Sequence, residues 1–111
     1  MAKSTTFKSE MLAMVFQNAD IADVGDVAGL QGSAAAGSLY ISLHTADPTT
    51  GDQETDEATY TGYTRVAVTR SAVFWSVAAG TATNINGIVW PPCTAGTDTI
   101  THFGVGTDST G

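Results

Sequence analysis

The chain has a single cysteine, Cys93, so it cannot close an internal disulfide, and its fold must rest on packing and hydrogen bonds. Basic residues are scarce: Lys3, Lys8, Arg65 and Arg70 stand against 11 acids. The net charge of -7 repels phosphate backbones and excludes general nucleic-acid binding. No apolar run approaches the ~20 residues that a membrane-spanning helix needs, so no membrane partner is expected. The N-terminus lacks the charged-then-apolar pattern of a secretion signal, and synthesis in the cytosol is expected. Charged residues make up only 14%, which leaves Gly, Ser, Thr, Asn and Gln to carry the polarity. There is no strict internal repeat and no heptad pattern of the kind a fibrous shaft would need.

The 111 residues are 42% hydrophobic, enough apolar surface to offset the ordering entropy of one globular domain, 1–111. After a polar arm at 1–6, a helix is expected over 7–19, because Phe7, Met11, Met14 and Val15 recur at helical spacing. Thr5 and Thr6 are candidate caps, and Glu10 suits the positive helix start. Leu12 and Phe16 widen the apolar face, so the helix wants two surfaces to bury it. Residues 20–37 read as an irregular connector, with Asp20, Asp23 and Asp26 as a solvated face and not a calcium loop.

A β domain is expected over 38–111. Leu39, Ile41 and Leu43 alternate with Tyr40, Ser42 and His44, as in a half-buried strand. Further strands are expected at 64–69, 73–77, 84–90 and 99–105. Residues 46–59 hold Asp47, Asp52, Glu54, Asp56 and Glu57 and read as a solvent-exposed loop without a metal. The expected fold class is mainly β: an antiparallel sandwich or partly open barrel with one N-terminal helix.

Chemistry-bearing constellations are weak. His44, His102 and Cys93 lack paired metal-ligand spacing, and the histidines are expected on solvent or interface faces. No GxSxG elbow frames a nucleophile. Catalytic carboxylates need a rigid, partly desolvated cleft, whereas the acids of 46–59 are expected to stay solvated. No enzyme activity and no cofactor are expected. Of Arg65 and Arg70, one is a candidate partner of the acidic loop and the other of a protein surface. Tyr60, Tyr63, Phe74, Trp75 and Trp90 exceed what so small a core holds, so at least one is expected at a contact surface, where sugar stacking is a further possibility.

The stretch SLYISLHTADPTTGDQETDEATYTGYTRVAVTRS, then VFWSV, then TNINGIVWPPCTAGTDTITHFGVGTD, resembles a family of small tailed-phage structural proteins. Its motifs take the form LYxxLHTADP, YTGYxRVxVxR, an aromatic WxV strand and THFGxGT, and members are often labelled tail-fibre proteins. Within it, the short length and N-terminal helix are most similar to the staple-type capsid decoration proteins of epsilon-fifteen-like podophages. That resemblance implies a β-barrel or partly open, jelly-roll-like domain, a homodimeric decoration protein on the outer capsid surface that bridges subunits of the major capsid protein. The alternative it leaves open is a tail or tail-fibre component touching the tail or host. Longer relatives carry another apolar strand after THFGxGT, so an edge here is expected to be open or covered by a partner. The candidate interface residues are Phe7, Met11, Met14, Phe16, Arg65, Arg70 and Phe103.

Overall fold

The computed structural model of the protein describes residues 4–22, 24–25 and 28–111. Asp23, Asp26 and the first residues of the polar arm lie outside the described residues. The elements are α1 (Thr5–Gln17), β1 (Ser38–His44), β2 (Val66–Thr69), β3 (Trp75–Ala78), β4 (Thr81–Asn84) and β5 (His102–Gly106). Among the described residues the fold is mainly β, with two antiparallel sheets, one N-terminal helix and no closed barrel. The protein forms two compact units, one of residues 1–37 and 69–87, the other of 38–68 and 88–111. Residues 69–87 thus cluster with the helix, and not with the β domain expected over 38–111.

In the first unit, α1 begins two residues before the expected start. Ser4, in extended conformation, is the cap, and its Oγ accepts the Phe7 N–H at 3.0 Å. The helix stops at Gln17 because Asn18 turns left-handed, with φ 57°. The Asn18 carboxamide then pairs with the Ser33 backbone in both directions, at 2.7 and 2.8 Å. An isolated bridge between Ile21 and Leu30 closes the connector and buries Ile21. Arg70 completes the helix end: Nε and Nη2 donate to the Val15 and Met14 carbonyls, both at 2.6 Å, and Nη1 to Ala36 at 3.0 Å. A cation on the last free carbonyls complements the negative end of the helix dipole.

Against α1 lies the hairpin β3–β4, paired Trp75↔Asn84 to Ala78↔Thr81. Phe16 meets buried Trp75 edge-on at 4.7 Å, and Gln17 Nε2 donates to the Trp75 carbonyl. The two-residue turn is Ala79-Gly80, with φ 51° and 75°, and the Gly80 N–H donates to Ser9 Oγ. Both φ values are positive, as a type I′ turn demands, but alanine resists that conformation. Ala79→Asn is therefore expected to raise stability by roughly 0.5–1 kcal/mol, read as a higher urea midpoint at unchanged slope.

The expected strand over 84–90 is corrected. The ladder ends at Asn84, with one further backbone bond from Ile85 to Phe74, and 85–90 is irregular. Ile85 and Val89 are exposed, so their apolar character reflects no core.

In the second unit, β1 is central in the order β2-β1-β5. Strand β5 runs antiparallel to it, with Ile41 opposite Val105, Ser42 opposite Gly104 and Leu43 opposite Phe103. Leu39 and Ile41 are buried on one side, and Ser42 and His44 on the other. The expected half-buried strand is thus buried on both faces, and His44 is not at the surface. Trp90 Nε1 donates to the Ile41 carbonyl. Tyr60 stands edge-on to Tyr63, and its hydroxyl donates to the Pro91 carbonyl at 2.7 Å. Asp98 Oδ2 accepts the N–H groups of Thr59 and Tyr60, both at 2.8 Å.

Candidate functional site

The even-numbered side chains of β1 start a network of polar contacts. Ser42 and His44 are both 0% exposed, with Ser42 Oγ 2.8 Å from His44 Nε2. His44 Nδ1 lies 2.8 Å from the Thr55 carbonyl, which can only accept, so Nδ1 carries the hydrogen. Gln53 Nε2 donates to the Tyr40 carbonyl at 2.8 Å and to Ser42 Oγ at 3.1 Å. Arg65 Nη1 donates to Gln53 Oε1, and to the carbonyls of Asp108 and Gly111. Arg65 also grips Glu57 with two parallel bonds, Nε to Oε1 at 2.7 Å and Nη2 to Oε2 at 2.8 Å. Tyr63 donates to Glu57 Oε1 at 2.6 Å and accepts the Leu43 N–H.

This arrangement corrects the reading of 46–59 as a wholly exposed loop. Gln53, Thr55 and Glu57 are half-buried and Ala58 is buried, because their partners on β1 and Arg65 satisfy them. A serine hydroxyl beside a carbonyl-oriented imidazole has the form of a nucleophile and base. With both groups fully covered, no substrate atom reaches Ser42 Oγ. An open crevice of about 410 Å³ lies instead over the Glu57–Arg65 pair, lined also by Glu54, Tyr63, Thr64 and Ser109, and neither Ser42 nor His44 lines it. Its principal charges, Glu57 and Arg65, are already spent on each other.

Titration follows from the same contacts. The Arg65 guanidinium holds the Glu57 carboxyl below its usual range, against the opposing effect of burial and with help from Tyr63. Burial, then the bond to Glu57, pushes the Tyr63 phenol up to about 12. The depressed Glu57 contributes stability that is present above its ordinary value of 4.5 and is lost as pH falls through its folded value. The raised Tyr63 contributes stability that is present below 10 and is lost as pH rises towards 12. Glu57→Gln is expected to flatten the acid limb of the stability–pH curve, and Tyr63→Phe the alkaline limb, in urea titrations across pH.

The interface candidates fall into three groups. Phe7 and Met11, each 40% exposed, form one strip of α1 with Val15 at 48%. Met14 is half-buried beside them, whereas Phe16 packs on Trp75. Phe103, 69% exposed, shares a face of β5 with exposed Val105 in the other unit. Arg65, with its side chain 3% exposed, and Arg70 are consumed internally. Val15 and Val105 were not among the expected residues, although their i+4 and i+2 spacing from Met11 and Phe103 was the available signal. His102 is exposed, with Nδ1 2.8 Å from Thr101 Oγ1, and Cys93 is an exposed free thiol. Among the described residues, no three His, Cys, Asp or Glu side chains gather where they could hold a metal.

Residues 2–111 match the family model described as Podophage GP4 fiber I protein gp80. The protein belongs to this family. Membership makes it a bacteriophage structural protein and a component of the virion, as the resemblance of its motifs implied. No curated protein and no solved structure matches it. The THFGVGT segment is β5 with its flanks, and its glycines have a steric reason. A Cβ at Gly104 would lie 2.7 Å from Ser42 Oγ and 2.8 Å from His44 Nε2, and one at Gly106 would overlap the Gln53 amide. Neither position requires an unusual backbone angle. Both are bare so that the polar network can lie flat across β5.

Proposed function

We propose that this protein is a small structural component of the tail-fibre apparatus of a podophage, held in the particle by protein–protein contact. The observation that carries this reading is the match of nearly the whole sequence to a fibre-protein family. The exposed strip Phe7–Met11–Val15 and the β5 face of Phe103 and Val105 supply apolar contact surface. A specific interface buries about 1,200–2,000 Å² in total. Neither strip reaches that alone, but two contacts on one particle reinforce each other, because the second forms at high effective concentration.

A second reading is a capsid decoration protein, a homodimer that staples subunits of the major capsid protein from outside. The protein's size, its net charge of -7 and its short strands favour it, since nothing in them builds a shaft. Copy number separates the two. Purified particles run on a gel, with this band scaled against the major capsid protein, are expected to show few copies for a fibre component. A band comparable to the capsid protein overturns the fibre reading in favour of decoration. In either case Met11→Asp and Phe103→Asp are expected to loosen attachment while the free protein stays soluble. If both variants are incorporated like the parent, these surfaces are not the contacts.

A further inference from the structure

We infer that Asn86–Gly87 is a site of spontaneous deamidation, at which the fold leaves one of three asparagines chemically open and protects the other two. The reaction needs no enzyme. The Gly87 nitrogen loses its proton to base and attacks Asn86 Cγ. The new N–C bond closes a succinimide as the carboxamide Cγ–Nδ2 bond breaks and ammonia leaves. Water then opens the ring at either carbonyl, producing an aspartyl or an isoaspartyl linkage at position 86 with one new carboxylate.

Three requirements meet at this position. The attacking nitrogen must be unhindered, and glycine has no side chain to block it; even an added Cβ at Gly87 would meet nothing within 4 Å. Both reacting groups must be free. Asn86 and Gly87 are exposed, and among the described residues neither the Asn86 carboxamide nor the Gly87 N–H has a hydrogen-bond partner. The peptide nitrogen must also give up its proton. Asn84 Nδ2 donates to the Asn86 carbonyl at 2.8 Å, and a donor on that oxygen stabilises the charge that develops across the amide on deprotonation.

The other asparagines fail each requirement. Asn18 has both side-chain atoms held by Ser33, and the following N–H, of Ala19, donates to Ala13. Asn84 has its amide nitrogen engaged, its successor is the β-branched Ile85, and the Ile85 N–H donates to Phe74.

The product has consequences for this fold. An aspartyl adds a charge to a protein already at -7. An isoaspartyl brings the Cβ of residue 86 into the main chain and so lengthens the backbone by one methylene just before Gly87, the last residue of the first unit. A released particle synthesises no replacement protein, so the conversion accumulates with particle age.

The test incubates the full-length protein at mildly alkaline pH and follows it by peptide mapping and isoaspartyl methylation, beside a synthetic peptide spanning residues 82–90. The expected result is progressive loss of Asn86, faster at higher pH, with isoaspartyl the major product and Asn18 and Asn84 intact. Gly87→Ala is expected to slow the loss markedly, and Asn86→Gln to remove the methylation signal. If Asn86 survives in the folded protein while the peptide converts, the fold protects the site and the inference is wrong. Equal loss at all three asparagines also overturns it, since that pattern reports unfolding.

Discussion

Arg65→Ala is expected to cost about 3–5 kcal/mol of folding stability, because it strands the Glu57 carboxylate with its charge uncompensated. The loss is large against the roughly 5–15 kcal/mol that holds a domain of this kind together. It reaches further than the ion pair. Arg65 also supplies donors to Gln53 Oε1 and to the carbonyls of Asp108 and Gly111, so one residue ties the acidic segment and the tail together. Urea unfolding measures the global loss. Amide exchange at residues 107–111 reports the tail separately, and it is expected to rise even under conditions where the variant stays folded. Replacing both Arg65 and Glu57 by Met is expected to recover most of the loss, since two apolar groups leave no unpaired charge. If the single and double variants are equally unstable, the pair's packing matters and its charge does not.

Gly104→Val is expected to be the most damaging change on β5. The added Cβ alone would lie well inside contact distance of Ser42 and His44. Overpacking of this kind costs about 1–3 kcal/mol. Each buried polar group that loses its partner as the strand shifts adds about 1–3 kcal/mol. Phe103→Ser, one residue away but 69% exposed, is expected to stay within about 0.5 kcal/mol of the parent. The contrast in urea midpoints between neighbours tests whether β5 is read from its inner face. A Gly104→Val protein as stable as Phe103→Ser would show that the polar network does not cross the strand as described.

How much of this was legible in the sequence depends on how local the cause is. Alternation in Leu39–His44 announced β1, and the periodicity of Phe7, Met11 and Met14 announced α1, because side-chain direction follows the backbone period. The error over 84–90 has the same root. Ile85 and Val89 look like strand residues, but burial, not hydrophobicity, makes a strand's apolar face, and both stay exposed. The β3–β4 turn was missed because Ala79-Gly80 is a poor match to the Asn-Gly signal that announces a type I′ turn.

Phe7, Met11 and Phe103 are exposed, whereas Phe16 lies on Trp75 and both arginines are turned inward. An arginine's sequence neighbours do not say whether its partner is a carboxylate of the same protein or another molecule's surface.

Composition, charge and period therefore determined a small, acidic, mainly β protein with one helix and no disulfide, since those properties are sums or short-range patterns. Only the tertiary structure decided that His44 is covered, that Glu57 and Arg65 grip each other, and that Gly104 and Gly106 are bare to make room. Each of these depends on segments far apart in sequence, 53–58, 65 and 102–106, converging on one strand, and no local pattern encodes which side chains will meet there.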